Sequence, residues 1–285
     1  MLDALEILPR LSKLRQSRAR IIESAGAQKI VNFRSAWGIL DKKGRAWEAP
    51  RNGNRVIDLG ADGTCDVSDL PTPFSQAGLP RFFVYLDPYS GVERTRESLK
   101  AAGLKKCMDV IVSARALEGF TSHQPKTGLT VKVASEADTD DIFQVLTYHQ
   151  TQPPLWEDKV RGSLHEEGAN VHLAYWEGVP ISVAVLNVSD GLAFLSNATT
   201  VPEFRGRGAQ QALIGSRLGF ARDKKCDIAI VESHHSFADS VHNLHSAGFE
   251  HLYDREVFRF EFDSGIRDRL TDATDGHQVP TETGS

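Results

Sequence analysis

The sequence predicts an α/β (α+β) chain of two tandem units, each a mixed, mostly antiparallel sheet with flanking helices. Three observations carry this. An alternating, threonine-rich run from Leu192 to Val201 reads as a strand, and the turn Arg205-Gly206-Arg207-Gly208 feeds it into a helical pattern. From Leu129 onward the elements follow the order βααβββαβαββ. The segment Ser98-Leu-Lys-Ala-Ala-Gly-Leu104 is similar to Asn243-Leu-His-Ser-Ala-Gly-Phe249, and the two glycines lie 145 positions apart.

Composition bounds the rest. A chain of 285 residues with 40% hydrophobic content has room for two ordinary globular domains. No apolar run approaches the ~18–20 residues of a membrane span, and the N-terminus lacks a basic-then-apolar signal pattern. A net charge of -5 weighs against a dedicated nucleic-acid binder. Cys65, Cys107 and Cys226 are scattered, odd in number and without a CxxC pair. The expectation is reduced thiols in the cytoplasm and no metal site.

In the first half, Pro9 suits the first turn of a helix. Leu11, Leu14, Ile21 and Ile22 recur at helical spacing, with Arg10, Lys13, Arg15, Arg18 and Arg20 elsewhere on the surface. Two readings fit: a basic amphipathic helix for an acidic partner, or a core helix with a solvated face. Strand-like runs follow at Trp37–Leu40 and Val56–Leu59, with turn signals at Asn52-Gly53 and Asp62-Gly63. Arg81–Asp87 has a buried-strand pattern, residues 90–102 read as a helix stopped by Gly103, and Asp109–Ala114 reads as a strand. No glycine-rich phosphate loop precedes this unit.

The 145-residue offset also lays Phe82–Asp87 over Asp227–Glu232, one apolar strand ending in an acid over another. The same strand, acid, helix and helix stop in both halves point to a duplication. The first copy has lost the glycine-arginine turn. Gly119, Ser122, Pro125 and Gly128 mark a breaker-rich boundary. The expected division is residues 1–120 for the degenerate copy, 121–128 for a linker, 129–263 for the complete unit and 264–285 for a flexible polar tail.

In the second half, Leu129–Ala134 alternates as a strand, and Ser135 with Asp138 forms a capping-box pattern before a helix buried through Ile142, Val145 and Leu146. Tyr148, His149 and Trp156 fall where the chain breaks after it. Val171–Trp176 and Pro180–Val188 form a hairpin across Glu177-Gly178, and Ser189-Asp190-Gly191 turns into the Leu192 strand. The helix after Gly208 buries Ile214, Leu218 and Ala221 and ends near Lys224-Lys225. Ile228–Val231 is a short apolar strand suited to parallel pairing. A helix over Ser236–Ala247 and a hairpin-like pair, Leu252-Tyr253 and Val257–Phe262, close the unit.

A glycine-rich turn at a helix N-terminus is an anion cradle: backbone can approach closely, first-turn N–H groups lack partners, and two guanidiniums add charge-assisted bonds. An exposed basic turn would read the same. The context resembles the signature of the GCN5-related N-acetyltransferases, Val-x-Pro-x-x-Arg/Gln-x-x-Gly-x-Gly/Ala between strand and helix. Val201, Pro202, Arg205 and Gly208 match, and Gln210 stands where a small residue is usual. The resemblance implies tandem acyl-CoA N-acyltransferase-like domains. It also implies acetyl-CoA as co-substrate, with no metal, held by Thr199, Thr200, Val201, Arg205, Gly206, Arg207, Gly208, Ala209, Gln210 and Asn243. Asn243 reads equally as a cap on neighbouring backbone.

By the same resemblance, two parallel strands splay to admit a thioester, and Glu232 ends the second of them, where a general base is wanted; a solvated strand end is the plain alternative. His234 and His235 follow as proton relays or loop residues. The family's usual tyrosine, four residues before the helix-ending glycine, is Leu244 here. Ser240, His245 and, further off, Tyr253 are the substitutes considered. Tyr148, His149 and Trp156 would line the acceptor pocket, or else Trp156 is a core anchor and His149 a solvated helix end. The implied activity is acetyl transfer to a primary amine of a small molecule by direct transfer in a ternary complex, with no nucleic-acid or membrane partner and homodimerisation left open. A non-catalytic coenzyme-binding or protein-interaction module is the alternative.

Overall fold

The computed structural model describes residues 3–24, 28–34, 36–41, 54–61, 66–89, 91–121, 125–148, 162–165 and 168–262. In chain order the elements are α1 (Ala4–Ser24), β1 (Lys29–Asn32), β2 (Trp37–Leu40), β3 (Arg55–Ile57), α2 (Pro71–Gln76), β4 (Arg81–Leu86), α3 (Val92–Ala101) and β5 (Lys105–Ala116). They continue with β6 (Leu129–Val133), α4 (Thr139–Thr147), β7 (Ala169–Trp176), β8 (Val179–Ser189), β9 (Leu192–Thr200), α5 (Ala209–Asp223), β10 (Ile228–Ser233), α6 (Ala238–Ser246) and β11 (Glu250–Glu261). The Asn52-Gly53 and Asp62-Gly63 turns, Cys65, His149, Trp156 and the tail after Phe262 lie outside the described residues.

The described strands form one sheet in the order β1-β2-β3-β4-β11-β5-β10-β9-β8-β7-β6. Neighbours are antiparallel except β3 with β4 and β9 with β10. The two parallel pairs sit at matching places in the two halves. The last strand of each half then crosses over: β11 lies between β4 and β5, and β5 lies between β10 and β11. Residues 145 apart in sequence, Val110 and Arg255, face each other across the β5–β11 ladder. The centre of the sheet is therefore palindromic, and each half is completed by a strand of the other.

This corrects the expected closing hairpin. Leu252–Phe262 is not two strands, because Asp254-Arg255-Glu256 stays extended in the ladder with β5 and β11 runs through it, with a register shift between His251 and Tyr253. The neighbour that a second hairpin strand would supply is β5. The sequence reading also missed β1 and the short helix α2, and it shortened β5 at both ends.

Helix α1 packs Ile7, Leu8, Leu11 and Leu14 against Val112, Phe194, Ile228 and Ile230 on one face of the central strands. It is the core helix of the two readings. It begins earlier than expected: the Asp3 carboxylate accepts from the Leu5 N–H at 2.9 Å, and Pro9 lies inside the helix instead of in its first turn. The lost bond would have fallen on the Leu5 carbonyl, and Leu5 is 54% exposed, so water can satisfy it. Arg15 is not on the solvated surface as expected; it is buried at 5% exposure.

On the opposite face, α5 and α6 bury Ile214, Leu218 and Leu244 against Ala193, Leu195, Ala229 and Val231. The capping box forms as the spacing predicts, with the Ser135 N–H donating to Asp138 Oδ2 at 2.9 Å. Among the described residues no helix is long and apolar enough to cross a membrane.

Candidate functional site

The turn between β9 and α5 is built from its glycines. After Val201, Pro202–Phe204 make one tight turn, Arg205 is extended, and Gly206 and Gly208 take φ of 75° and 90°. Both are left-handed conformations that side chains resist. A Cβ at Gly206 would meet nothing within 4 Å, so that turn lies open. Gly208 caps α5 without any side-chain bond to the first turn, and the first helical bond runs from the Ala212 N–H to the Gly208 carbonyl at 3.0 Å. The amide groups ahead of it are the orphan donors of a helix start.

Arg205, Gly206 and Arg207 are exposed, while Ala209 is buried beneath them. Among the described residues the Arg205 guanidinium has no hydrogen-bond or ion-pair partner. Arg207 is fixed instead, 5.0 Å from the Trp176 ring centre and 5.1 Å from that of Phe204. A third cation was missed in the sequence: the Lys126 side chain lies over Gly208, with Cδ and Cε at 3.5 Å from where a Cβ would stand. It stands in the segment expected to be linker.

Beside the turn, the two parallel strands part. The β9–β10 register ends at Leu195 with Val231. Beyond it, β9 bulges: Val183–Val185 of β8 spans Thr199–Ser196 of β9, and Asn197 carries the extra residue at φ 48°. Meanwhile β10 follows β5 as far as Ser233 opposite Ile111. Past Leu195 one edge of β9 thus has no strand partner among the described residues. Thr199 and Thr200 are tied to β8, the Thr199 carbonyl accepting from the Ser182 hydroxyl at 2.5 Å and the Thr200 hydroxyl lying 2.8 Å from it. Arg217 braces this bend from α5, donating to the carbonyls of Val185 at 3.3 Å and Ser196 at 3.5 Å. It is 3% exposed, and burial lowers its pKa to about 9. Its place on the apolar stripe, between Ile214 and Leu218, was the available signal.

Helix α6 closes the other side of the cradle. Asn243 donates to Gln210 Oε1 at 2.7 Å and accepts from Gln211 Nε2 at 3.0 Å, while Gln210 Nε2 donates to the Ser240 hydroxyl at 3.3 Å. Ser240 and Asn243 are therefore brought to the first turn of α5, joined to it by side-chain amides. His245 is not: Leu244 turns into the core at 6% exposure, and the next residue, about 100° further round the helix, faces solvent. Tyr253 is spent elsewhere, donating to Asp87 Oδ1 at 2.8 Å. In the β10–α6 turn His234 Nδ1 accepts from the Ser236 N–H at 3.1 Å and meets its hydroxyl at 2.7 Å, and His235 is exposed. Tyr148 ends α4 half exposed and bonds Glu203.

Glu232 ends β10 at the splay, but not as a free base. Its Oε1 takes Arg15 at 2.8 Å and Arg255 at 3.3 Å. The same two guanidiniums hold Asp87, each at 3.0 Å, and Arg15 stands 3.9 Å from Asp58. Burial alone would raise the Glu232 carboxyl; Arg15 and Arg255, with Arg18 further off, outweigh it and bring it to about 2. Ion pairs to two guanidiniums make this carboxylate a weaker base than the general-base expectation asks for. Asp87 and Glu232, matched by the 145-residue offset, meet in one ion cluster at the centre of the sheet.

A pH dependence follows. The unfolded glutamate titrates near ~4.3, above the folded value, so this contribution to stability is complete above that pH and is lost as pH falls toward ~2. Denaturant midpoints measured from pH 6 down to pH 2 should fall through this window in the wild type. In Glu232→Gln the fall should be shallower; an equal fall in both would show that Glu232 carries none of it.

No family model matches the chain, and no curated protein matches it. Solved structures do. A GCN5-related N-acetyltransferase from Kribbella flavida is 13% identical, with 90% of this chain and 97% of that one covered at a TM-score of 0.58. A tandem GNAT protein from the clavulanic acid biosynthesis pathway is 10% identical, with 85% and 87% covered at 0.58. A GCN5-related N-acetyltransferase from Sphaerobacter thermophilus is 14% identical, with 80% and 81% covered at 0.53. With the strand order, the bulged and parting parallel pair and the glycine turn already described, these likenesses lead to one conclusion: the chain has the fold of the GCN5-related N-acetyltransferases.

Proposed function

We propose that the chain is an N-acetyltransferase that moves an acetyl group from acetyl-CoA to a primary amine of a small molecule in a ternary complex. The observation that carries this is the uncapped start of α5 lying beside the gap between β9 and β10. The residues fit a diphosphate. The first-turn amides from Ala209 onward would bind its oxygens, Arg205 and Lys126 would supply charge, and Gly206 and Gly208 would let backbone come close. The coenzyme, when bound, supplies an acetyl thioester. The chain's part is to hold it with the acyl end in the gap and to bring the amine alongside.

In the transfer an N–C bond forms as the C–S bond breaks. The amine gives its proton to solvent, because Glu232 is held too acidic to accept one, and the sulfur leaves as a thiolate of pKa ~8.5 that water protonates. No tyrosine stands at Leu244 to donate. We further infer that the two halves are copies, divided near residues 120 and 129, and that the first shapes the acceptor side.

The alternative is a coenzyme-binding module without catalysis, which the leucine at position 244 and the sequestered Glu232 favour. Incubation with acetyl-CoA and a broad amine panel separates the two. The expected result is free thiol that rises with time in the wild type, and an apparent coenzyme affinity about five- to tenfold weaker in Arg205→Ala through one lost charge-assisted bond. Tight coenzyme binding with no thiol release from any amine would establish the module. Coenzyme affinity unaltered in Arg205→Ala would sink the cradle itself.

A further inference from the structure

A small cavity of about 40 Å³ lies against the end of β10, on the face covered by α1, and Arg15, Arg18, Trp37, Arg55 and Glu232 line it. Glu232 follows Val231, the last residue of the parallel pairing, so the cavity adjoins the point where the strands part. Its volume exceeds the about 10–15 Å³ that a single water needs on this measure and suits the charged head of a small molecule.

The walls are unequally satisfied. Arg15 is bound to three carboxylates. Arg18 has no carboxylate: its guanidinium lies 4.6 Å from the Phe194 ring centre, and among the described residues no anion reaches it. Burial, against the pull of Glu232 and with Arg55 and Arg15 adding to it, lowers the Arg18 pKa to about 10, so it stays charged at neutral pH. Leaving a cation in such a place without a counter-ion is unfavourable, and an incoming anion removes that cost. Glu232 offers the opposite charge. Every bond it accepts falls on Oε1, and Oε2 accepts none among the described residues. Among the described residues, one wall thus has a guanidinium without an anion, and another has a carboxylate oxygen without a donor.

Resting on the acetyltransferase reading, we propose that the acceptor is zwitterionic: Arg18 binds a carboxylate or phosphate of the substrate, and Glu232 Oε2 holds its ammonium until it gives its proton to solvent. Polyamines and other wholly cationic amines are disfavoured, because three arginines surround the cavity. Glu232 here is a positioning residue, not a base.

The test uses matched probes with the full chain. Thiol release from acetyl-CoA is followed with α-amino acids against their methyl esters, and with phosphoethanolamine against ethanolamine, the two pairs separating carboxylate from phosphate. At least one anionic member should exceed its uncharged partner by tenfold or more in kcat/KM. Arg18→Gln should raise KM for that substrate at least tenfold with the acetyl-CoA dissociation constant within twofold, and Arg18→Lys should restore part of it. Equal or better use of the esters and of ethanolamine, or an unmoved KM in Arg18→Gln, would overturn the proposal while leaving the acetyltransferase reading intact. Should acetyl-CoA fail to bind the wild type, that reading falls. The cavity is then judged by calorimetry with the same probes: tighter binding of the anionic members that Arg18→Gln abolishes upholds the anion site, and its absence ends it.

Discussion

Gly208→Asp is expected to weaken acetyl-CoA binding by at least ~100-fold, since a like charge set against a bound anion costs several kcal/mol and each 1.4 kcal/mol is tenfold. Three effects act together. The residue sits at φ 90°, so any side chain there is strained. The new carboxylate would lie at the helix start, where it would compete for the N–H groups a diphosphate needs. It would also neutralise Lys126, whose methylenes stand 3.5 Å from the new Cβ. Gly208→Ala carries the strain without the charge and should lose far less. Calorimetric titration of both variants, with melting curves to establish folding, separates the contributions. Equal losses in the two would mean that backbone strain, and not anion binding, governs the turn.

Arg15→Met is expected to destabilise the fold by about 3–5 kcal/mol, the usual cost of stranding buried charges by removing one partner. Arg15 is the shared counter-ion of Asp58, Asp87 and Glu232, and it reaches them from α1. Asp87 is fully buried and, among the described residues, keeps Arg255 and the Tyr253 hydroxyl when Arg15 goes. Chemical denaturation of the variant should show the loss. Adding Asp87→Asn should return part of it, because a neutral amide costs less to bury than an unpaired carboxylate. A midpoint unchanged in Arg15→Met would mean that the cluster contributes nothing net to stability.

Much of the architecture was legible because strands and helices with strong periodicity announce themselves. Trp37–Leu40 and the capping box at Ser135 came out as read. The alternating run ending at Pro202 and the helix opening at Gly208 did too, because proline and positive-φ glycine leave few choices. Helix α1 was read from the same periodicity, yet Arg15 was assigned to its surface. It stands seven residues after Leu8 and four after Leu11, on the buried stripe, and residue type was allowed to override position. The exchange of β5 and β11 was not legible at all. Val110–Ala114 of β5 is buried without interruption and β11 alternates only in part, so neither pattern names a partner strand, and only long-range registry decides. Within the site, the turn could be found from sequence because its chemistry is local. The ion cluster could not, since Arg15, Asp87, Glu232 and Arg255 come from four distant segments and meet only in three dimensions.

The crossed strands also constrain how the protein is made. During synthesis β5 leaves the ribosome with its first-half companions, but both of its ladder neighbours, β10 and β11, are encoded more than a hundred residues later. The amino-terminal portion therefore cannot finish its sheet until β10 and β11 have emerged, and until then it has an open hydrogen-bonding edge. Loop closure over such separations makes for slow assembly. A truncated nascent chain, cut anywhere before Glu250, would expose β4 and β5 as sticky borders and so call on chaperones.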